Sequence, residues 1–351
     1  FLVKSYEIYK LIFNDNQNHP CLANTLNNIG LIYYLNGNLN KALEYYEKSF
    51  ELYKNIYTDN LNHASIALCL NQIGLVYKSS NNYNKALEYF EKSYEILKKV
   101  YADNLNNADI ALCLNNIGLV YDHNGFFNKA LEFYQKSYEI YSNVYADNTN
   151  DPHIAKLLNN IGLVYNNKCD HYKALECFEK SYEIRKEIYA ENPNHPDIAN
   201  TLNNIGSVYD DKGDYNKALE FYGKSYEIRK IAYADNPNHP DIATILTNIG
   251  NIFVEKGEYD KALECYVKSF GIFNKIYADT PNHPDIAFSL NNIGSVYDNK
   301  GDFIKALAYY QKSFEIKKKI YADNEDHPSL NLSLNNIINV KNKLFQFILI
   351  L

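Results

Sequence analysis

LNNIGSVYDDKGDYNKALEFYGKSYEI (residues 202–228) contains two amphipathic helical patterns on either side of a short polar turn. Between Leu202 and Tyr209, apolar or small residues occur at i, i+3, i+4 and i+7, which places them on one face of a helix. Gly213 lies in the turn, where glycine can adopt the positive φ that ends a helix. A second helix is predicted from about 215 to 233, so the stretch predicts a helix pair.

The same pattern recurs every 44 residues along almost the whole chain. The first-helix glycine occurs at Gly30, Gly74, Gly118, Gly162, Gly206, Gly250 and Gly294. An alanine lies twelve residues after each glycine and a serine seven residues after each alanine, and we interpret these columns as close-packing core positions. One such pair cannot bury its apolar face alone, so neighbouring pairs have to stack. The sequence therefore predicts an all-α solenoid of antiparallel helix pairs.

The repeat resembles the tetratricopeptide repeat, whose pattern is W-x2-L-G-x2-Y, then A-x3-F, then P, usually over about 34 residues. The matching positions are Leu202, Ile205, Gly206, Tyr209, Ala218 and Tyr222. The chain departs from the pattern because leucine takes the tryptophan place and the helix-ending proline is missing. The long period and the ALEYYEKS type of second helix (42–49) are similar to the kinesin light chain and nephrocystin-3 subgroup. The resemblance implies a right-handed superhelix whose first helices line a concave groove.

The period divides the chain into seven complete units with incomplete repeats at both ends. Residues 1–18 match the latter part of a second helix, and residues 327–351 form a final first helix with an apolar tail. The complete units are 19–62, 63–106, 107–150, 151–194, 195–238, 239–282 and 283–326. The tail LFQFILIL (344–351) is expected either to cap the apolar end of the array or to be the sticky end of a fragment. Because the chain starts at Phe1 and has no methionine, we expect it to be a piece of a longer protein.

Composition argues against two classes of partner. The net charge is −7 and no basic run occurs, whereas binding of nucleic acid requires clustered Lys and Arg. No apolar run reaches the length of about 18 residues that a membrane span needs. The six cysteines show neither a CxxC motif nor a paired framework, and Cys69 and Cys113 are expected to be too far apart for a disulfide. We therefore expect a reducing, cytoplasmic location and neither nucleic-acid nor membrane binding.

A second stripe runs along each first helix, away from its apolar face. In the quoted repeat this stripe consists of Asn200, Asn204, Ser207 and Asp211. Its amide column consists of Asn28, Gln72, Asn116, Asn160, Asn204, Asn248, Asn292 and Asn336. A primary amide both donates and accepts, so a row of amides can bind the backbone of an extended peptide. This resembles the asparagine ladders of peptide-binding helical solenoids, and the alternative is that the amides bridge neighbouring first helices.

The residue before each amide forms another column, about 100° away around the helix. It consists of Asn27, Asn71, Asn115, Asn159, Asn203, Thr247, Asn291 and Asn335. We expect this column either to bond between neighbouring repeats or to flank the groove.

Variable positions on the amide stripe predict what a ligand would look like. One position is Leu31, Leu75, Leu119 and Leu163 in the N-terminal repeats, and Ser207, Asn251 and Ser295 in the later ones. Leu68 and Leu112 add to the apolar character of the N-terminal half. Near the later turns lie Asp210, Asp211, Glu255 and Asp298. These residues predict a peptide with apolar anchors at one end and basic residues at the other, although a solvated acidic rim is an equal alternative.

Cations that could clamp a terminal carboxylate are scarce on this stripe. Among the complete units only Lys156 occupies a stripe position, so binding of chaperone C-termini in the manner of carboxylate-clamp relatives is not expected. Kinesin light chains use basic groove residues for acidic cargo motifs, and that preference is not carried over here.

Catalytic and metal-binding patterns are weak. Six of the nine histidines share one repeat position before the first helix, at His19, His63, His195, His239, His283 and His327. They are a repeat apart, which indicates helix entry rather than a metal site. Cys169 and His171 lie in the most deviant turn, where a Cys–His nucleophile is conceivable but a drifted turn is the simpler interpretation. We expect no enzyme, metal or cofactor.

Three functions remain open on the sequence. The leading hypothesis is a non-catalytic scaffold that binds an extended peptide segment of a partner protein in its groove. The first alternative is the sensor or oligomerisation arm of a larger signalling protein, whose catalytic or nucleotide-binding domain lies outside this chain. The second is a spacer that associates with itself through the ends of the array.

Overall fold

The computed structural model describes residues 2–12, 18–146, 150–322, 324 and 326–350. Within these ranges the chain forms sixteen α-helices and no strand, as the all-α prediction requires. Residues 1, 13–17 and 351 of the predicted terminal segments lie outside the described residues.

The helices alternate between first and second members of a pair. The first helices are α2 (Pro20–Leu35), α4 (Ala64–Ser79), α6 (Ala108–His123), α8 (Pro152–Asn167), α10 (Pro196–Asp211), α12 (Pro240–Glu255), α14 (Pro284–Asn299) and α16 (Pro328–Ile350). The second helices are α1 (Leu2–Ile12), α3 (Leu39–Ile56), α5 (Tyr83–Val100), α7 (Phe127–Val144), α9 (His171–Ile188), α11 (Tyr215–Ala232), α13 (Tyr259–Ile276) and α15 (Phe303–Ile320). The predicted range of the second helix in the quoted pair, 215–233, is confirmed to within one residue.

The chain divides into two compact units, Phe1–Ile184 and Arg185–Leu351, with the division inside α9. In the first unit, α2, α4 and α6 pack on α3, α5 and α7, and each of these second helices packs on the next first helix. In the second unit, neighbouring helices from α10 to α16 pack in the same order. Each unit is therefore an array of antiparallel helix pairs.

Histidine starts most of the first helices by a hydrogen bond to the backbone. Nδ1 of His195 accepts the amide of Asp197 at 3.2 Å, and the other five histidines of this column cap their helices in the same way. Asn107 and Asp151 take this place before α6 and α8 and accept through a side-chain oxygen. The histidine column is thus a structural N-cap, as the sequence indicated for helix entry.

Each turn between the helices of a pair contains a residue with positive φ. Glycine provides it in five turns, including Gly213 at φ 73°. Asn81 and Cys169 adopt φ 58° and 60° at the equivalent positions. Nδ1 of His171 lies 3.2 Å from Oδ1 of Asn166, so this histidine is engaged with the first helix of its own repeat. Cys169 therefore performs the backbone role of the missing glycine.

The repeated small residues lie where the two helices of a pair cross. A Cβ atom at Gly206 would lie 2.7 Å from Cδ1 of Tyr222, which is closer than van der Waals contact allows. Ser225 is fully buried, and its hydroxyl donates to the carbonyl oxygen of Ala199 at 2.7 Å. The same serine–alanine bond occurs in all seven complete repeats. The serine column therefore joins the helices by a hydrogen bond in addition to being small.

The last helix continues through the apolar tail without a break. The ring of Phe347 meets that of Phe303 on α15 edge to face, with centroids 6.2 Å apart. Nζ of Lys343 lies 2.8 Å from Oδ1 of Asp298. Within the tail, Phe347 therefore contacts α15, but Phe345 and Phe347 are 64% and 51% exposed.

Candidate functional site

The amide stripe of the first helices forms a surface in each unit, which we call the first-helix face. It consists of the positions of Asn200, Asn204 and Ser207 in α10 and their equivalents in the other first helices. In the first unit α4 contacts α6 and α6 contacts α8, so these positions form a row. The face is described separately for each unit.

The two asparagine columns bond to each other between neighbouring repeats. In the first unit, Nδ2 of Asn116 donates to Oδ1 of Asn71 at 2.9 Å. Nδ2 of Asn160 donates to Oδ1 of Asn115 at 3.0 Å. The partners are 45 residues apart, one more than the period, so each bond joins the first column of one repeat to the second column of the next.

The second unit has the same bonds with one interruption. Nδ2 of Asn248 donates to Asn203 at 2.9 Å, and Nδ2 of Asn336 donates to Asn291 at 3.1 Å. Thr247 takes the first-column place that should pair with Asn292, and its hydroxyl bonds instead with Ala243 and Ser269. Nδ2 of Asn292 is consequently buried without a partner in the described part of the chain.

These bonds show the bridging of first helices that the sequence left as an alternative to the ladder. Each bond uses one of the two N–H donors of the second-column amide, so its other N–H and its carbonyl oxygen remain for further hydrogen bonds. Asn116 and Asn160 are 4% and 8% exposed, and Asn28 is exposed. The remaining members of the column, Gln72, Asn204, Asn248, Asn292 and Asn336, are half-buried.

The predicted specificity positions are at the surface. Leu31 and Leu163 are each 37% exposed, and Leu75 and Leu119 are half-buried. Together with the exposed Leu68, they form an apolar part of the first-helix face of the first unit, which also carries the amide column and the exposed Lys156. In the second unit, Ser207 and Ser295 are half-buried and Asn251 is exposed, where its Oδ1 accepts the hydroxyl of Tyr266 at 2.6 Å.

The acidic positions of the second unit are close enough to influence one another. Burial raises the pKa of Asp210, and the charges of Asp211 and Glu255 raise it further. Asp211 and Glu255 are exposed, whereas Asp298 is paired with Lys343. The structure therefore brings the first three acidic residues together at the ends of α10 and α12.

Second helices contribute cations that the stripe positions did not reveal. Nη2 of Arg229 donates to Oδ1 of Asn200 at 2.8 Å, which brings this buried guanidinium to the first-helix face. Burial lowers its pKa, and its Nε has no partner in the described part of the chain. Arg185 and Lys317 occupy the same repeat position and bond to Thr201 and Ser333. The sequence does contain a signal for these cations. The same repeat position is Tyr53, Leu97 and Tyr141 in the first unit, so the change to Arg or Lys in the second unit is visible when the repeats are aligned.

Two apolar side chains on the face of the second unit were also missed. Phe288 and Leu332 are 53% and 60% exposed and occupy the repeat position of Asn200. The Ser207, Asn251 and Ser295 positions alone suggested a uniformly polar face in the second unit. Phe288 and Leu332 show that this face also has apolar side chains.

The described ranges contain no cluster of three or more metal-ligating side chains. Among the described helices, none combines the length and the apolar composition that crossing a bilayer requires. All six cysteines are free thiols, and burial raises the pKa of Cys69 to about 11.

Family models assign the repeat. One model described as tetratricopeptide repeat matches residues 2–55, 21–99, 153–231 and 241–319. A second model with the same description matches residues 110–151. No curated protein matches the chain significantly.

Solved structures with the same fold share little sequence with the chain. The apo form of RapI is 19% identical to this chain, with a TM-score of 0.58. The match covers 86% of this chain and 99% of RapI. BtubC (BKLC) from P. vanneervenii is 19% identical, with a TM-score of 0.57, 70% of this chain covered and 94% of BtubC. One chain of the APC/C hetero-tetramer Cut9–Hcn1 is 18% identical to this chain, with a TM-score of 0.56. The match covers 83% of this chain and 45% of that chain. These likenesses establish the helical-repeat fold and nothing about partners.

Proposed function

Because the chain belongs to the tetratricopeptide repeat family, we propose that it is a non-catalytic scaffold that binds an extended peptide segment of a partner protein on its first-helix face. The fold itself is typical of protein–protein interaction. We also propose that the repeats belong to the kinesin light chain and nephrocystin-3 subgroup, which the 44-residue period supports.

The observation that carries the proposal is the partly exposed leucine row beside the amide column in the first unit. Leu31, Leu75, Leu119 and Leu163 recur at one helical position. Leu31 and Leu163 are 37% exposed, whereas Leu75 and Leu119 also pack against core clusters and expose only part of their side chains. Such a row suits the apolar anchors of a peptide, and the neighbouring amide oxygens can accept hydrogen bonds from its backbone. The bonds between asparagines occupy one of the two N–H donors of each paired amide and hold it against its neighbour, so the leucines supply the larger part of the binding.

The second unit offers a different face. The cluster of Asp210, Asp211 and Glu255 favours a basic segment, while Phe288 offers an apolar contact. We propose that this unit prefers peptides in which a basic residue accompanies an apolar one.

The test of the function is peptide selection on the whole chain. A random peptide library is screened against the unchanged protein and against a variant with Leu31, Leu75, Leu119 and Leu163 changed to serine, the residue present at this position as Ser207 and Ser295. We expect peptides selected on the unchanged protein to bind the variant at least about tenfold more weakly, because each buried leucine contributes roughly 1 kcal/mol or more.

The matched control changes Leu61 and Leu105 to serine. These leucines are 50% and 49% exposed, but they lie in connections before first helices. Both variants should melt at the temperature of the unchanged protein, which would establish that the substitutions leave folding unaffected. If selected peptides bind the serine variant of the face as well as they bind the control, the proposal is wrong.

A further inference from the structure

One repeat of the first unit contains a cavity beside its first-helix face. The cavity has a volume of about 160 Å³ and lies between α4, α5 and α6. Half of its lining is apolar and half is polar: Ala64, Leu68, Leu97 and Leu112 form the apolar part, and Ser65, Asn71, Ser93 and Asp109 the polar part. Leu68 and Leu112 belong to the first-helix face, so the cavity lies beside the leucine row.

A single sequence difference explains why the cavity is in this repeat. Leu97 occupies the position that is Tyr53 in the preceding repeat and Tyr141 in the following one. Both tyrosines are 2% exposed, so their rings are inside the packed protein. Leucine is shorter than tyrosine and cannot fill the same space, which leaves room for a ring between the helices.

We propose that this cavity binds an aromatic side chain of the partner peptide, with tyrosine preferred. The inference rests on the proposed function, because it supplies the anchor residue of the peptide bound on the first-helix face. Its volume is close to that of an apolar protein cavity of about 150 Å³ that binds benzene.

The neighbouring repeat indicates why a hydroxyl group would be favoured. The hydroxyl of Tyr53 donates to Oδ1 of Asn24 at 2.5 Å, and Ser65 is close enough to influence the pKa of that hydroxyl. The residues that lie 44 positions after Asn24 and Ser65 are Leu68 and Asp109, and both line the cavity. A ring bound where Tyr53 sits in its own repeat would place its hydroxyl beside Asp109. The carboxylate of Asp109 is exposed, and its Oδ2 accepts the hydroxyl of Tyr101 at 3.3 Å. Its other oxygen can accept the hydrogen bond of the bound ring.

The first measurement uses small probes on the full chain. Leucine methyl groups are labelled with carbon-13, and p-cresol or toluene is titrated in the millimolar range. We expect p-cresol to shift the methyl signals of Leu68, Leu97 and Leu112 and to bind more tightly than toluene. In the unchanged protein we expect p-cresol to bind about tenfold more tightly than toluene, because its hydroxyl bonds to a charged acceptor. Asp109→Ala removes that acceptor and should abolish the difference.

Filling the cavity provides the decisive variant. Leu97→Tyr introduces the residue found in the flanking repeats, and Leu97→Phe introduces the residue found at Phe273. Both should melt no lower than the unchanged protein and should bind neither probe. Leu97→Met, which leaves the volume nearly unchanged, is the matched control and should still bind them.

Selected peptides connect the cavity to the proposed function. We expect an aromatic residue, most often tyrosine, in peptides that bind the first unit. Leu97→Tyr should weaken them by about 10- to 100-fold, the effect of losing one buried aromatic side chain.

Two results would overturn the inference, and they separate it from the proposed function. If peptides bind the first-helix face but Leu97→Tyr or Leu97→Phe leaves their affinity unchanged, the cavity is a packing gap and the scaffold function stands. If p-cresol shifts the cavity methyl groups but no peptide binds the chain, the proposed function fails together with the peptide anchor. Absence of any probe shift also contradicts the inference.

Discussion

Glycines inside the helices differ in what a methyl group would meet. A Cβ at Gly206 would lie 2.7 Å from the ring of the buried Tyr222, whereas a Cβ at Gly223 on α11 would meet nothing within 4 Å. We expect Gly206→Ala to lower the free energy of unfolding by about 1–3 kcal/mol because the ring has no room to move. Gly223→Ala should raise it by about 0.5–1 kcal/mol, since alanine loses less backbone entropy on folding.

Denaturant unfolding of both glycine variants checks this prediction. The chemical change is the same in both, so its effect on the unfolded chain largely cancels in the comparison. If Gly206→Ala is as stable as Gly223→Ala, α10 and α11 can move apart without a loss of unfolding free energy. That result would contradict the close packing of Gly206 on Tyr222.

Asp122 should make stability depend on pH. Burial raises the pKa of this carboxyl, and its Oδ1 is buried without a partner in the described part of the chain. A raised pKa means that the folded state binds the proton more readily than the unfolded state, so stability should increase as the pH falls through that raised pKa towards the ordinary pKa of an aspartate. Asp122→Asn, which introduces the residue of the equivalent Asn166, should stabilise the protein at pH 7 by about 1 kcal/mol or less.

Melting temperatures of the Asp122 pair between about pH 4 and 8 test this dependence. The advantage of the asparagine variant should shrink as the pH is lowered. An advantage of equal size at both ends of the range would show that the carboxyl charge is not its cause.

At the scale of the helix, the side chain that starts α12 is replaceable by other acceptors. Nδ1 of His239 accepts the amide of Asp241 at 3.2 Å, and the ring stacks on Tyr233 with centroids 3.6 Å apart. We expect His239→Ala to cost about 1 kcal/mol through loss of the N-cap. His239→Asn introduces the residue that caps α6 at Asn107, and it should retain most of the stability because its side-chain oxygen accepts the same bond.

Thermal melts of the alanine and asparagine variants separate capping from ring stacking. If His239→Asn destabilises as much as His239→Ala, the stack on Tyr233 matters and the cap does not.

Contact between first helices depends on the asparagine pairs, and the interrupted pair provides an internal comparison. Asn116→Ala should lower the free energy of unfolding by about 1–3 kcal/mol, because it leaves the buried Oδ1 of Asn71 without its donor. Asn292→Ala should cost little, about 0.5 kcal/mol or less, since the buried Nδ2 of Asn292 has no acceptor to lose in the described part of the chain.

Chemical denaturation of the two asparagine variants gives the difference directly. Equal losses would show that the bonds contribute nothing to stacking, and the columns would then have to be explained by ligand binding. The expected inequality would make the asparagines primarily structural.

At the scale of the whole molecule, local packing should give unequal stability along the chain. In a repeat array each helix pair contacts only its neighbours, so opening can begin at an end. The described part of α1 packs mainly on α2, whereas α6 and α7 lie within two shared core clusters. Hydrogen exchange should therefore be fastest in α1 and at least about tenfold slower in α6 and α7.

Peptide-resolved hydrogen exchange of the full chain measures this gradient. A single common rate for the slowest amides of all helices would indicate that the array opens as one cooperative body. The prediction of local opening would then be wrong.

The sequence by itself determined the helix pairs, their bounds and the core columns. These follow from spacing within one repeat: apolar residues at helical intervals, proline or a capping side chain at the start, and glycine in the turn. The same local rules identified Gly206, Ala218 and Ser225 as close-packing positions, and the agreement at the quoted pair extends to the equivalent pairs.

Only the tertiary structure decided how neighbouring helices meet, both within a repeat and between repeats. The bond of Asn116 to Asn71, the reach of Arg229 to Asn200 and the cavity beside Leu97 each depend on the rotation and distance between neighbouring helices. A periodic pattern specifies which side of a helix is apolar, but it leaves the offset between stacked helices undetermined. That offset is fixed by side-chain packing over the whole interface, and it turned a predicted row of free amides into bonded pairs.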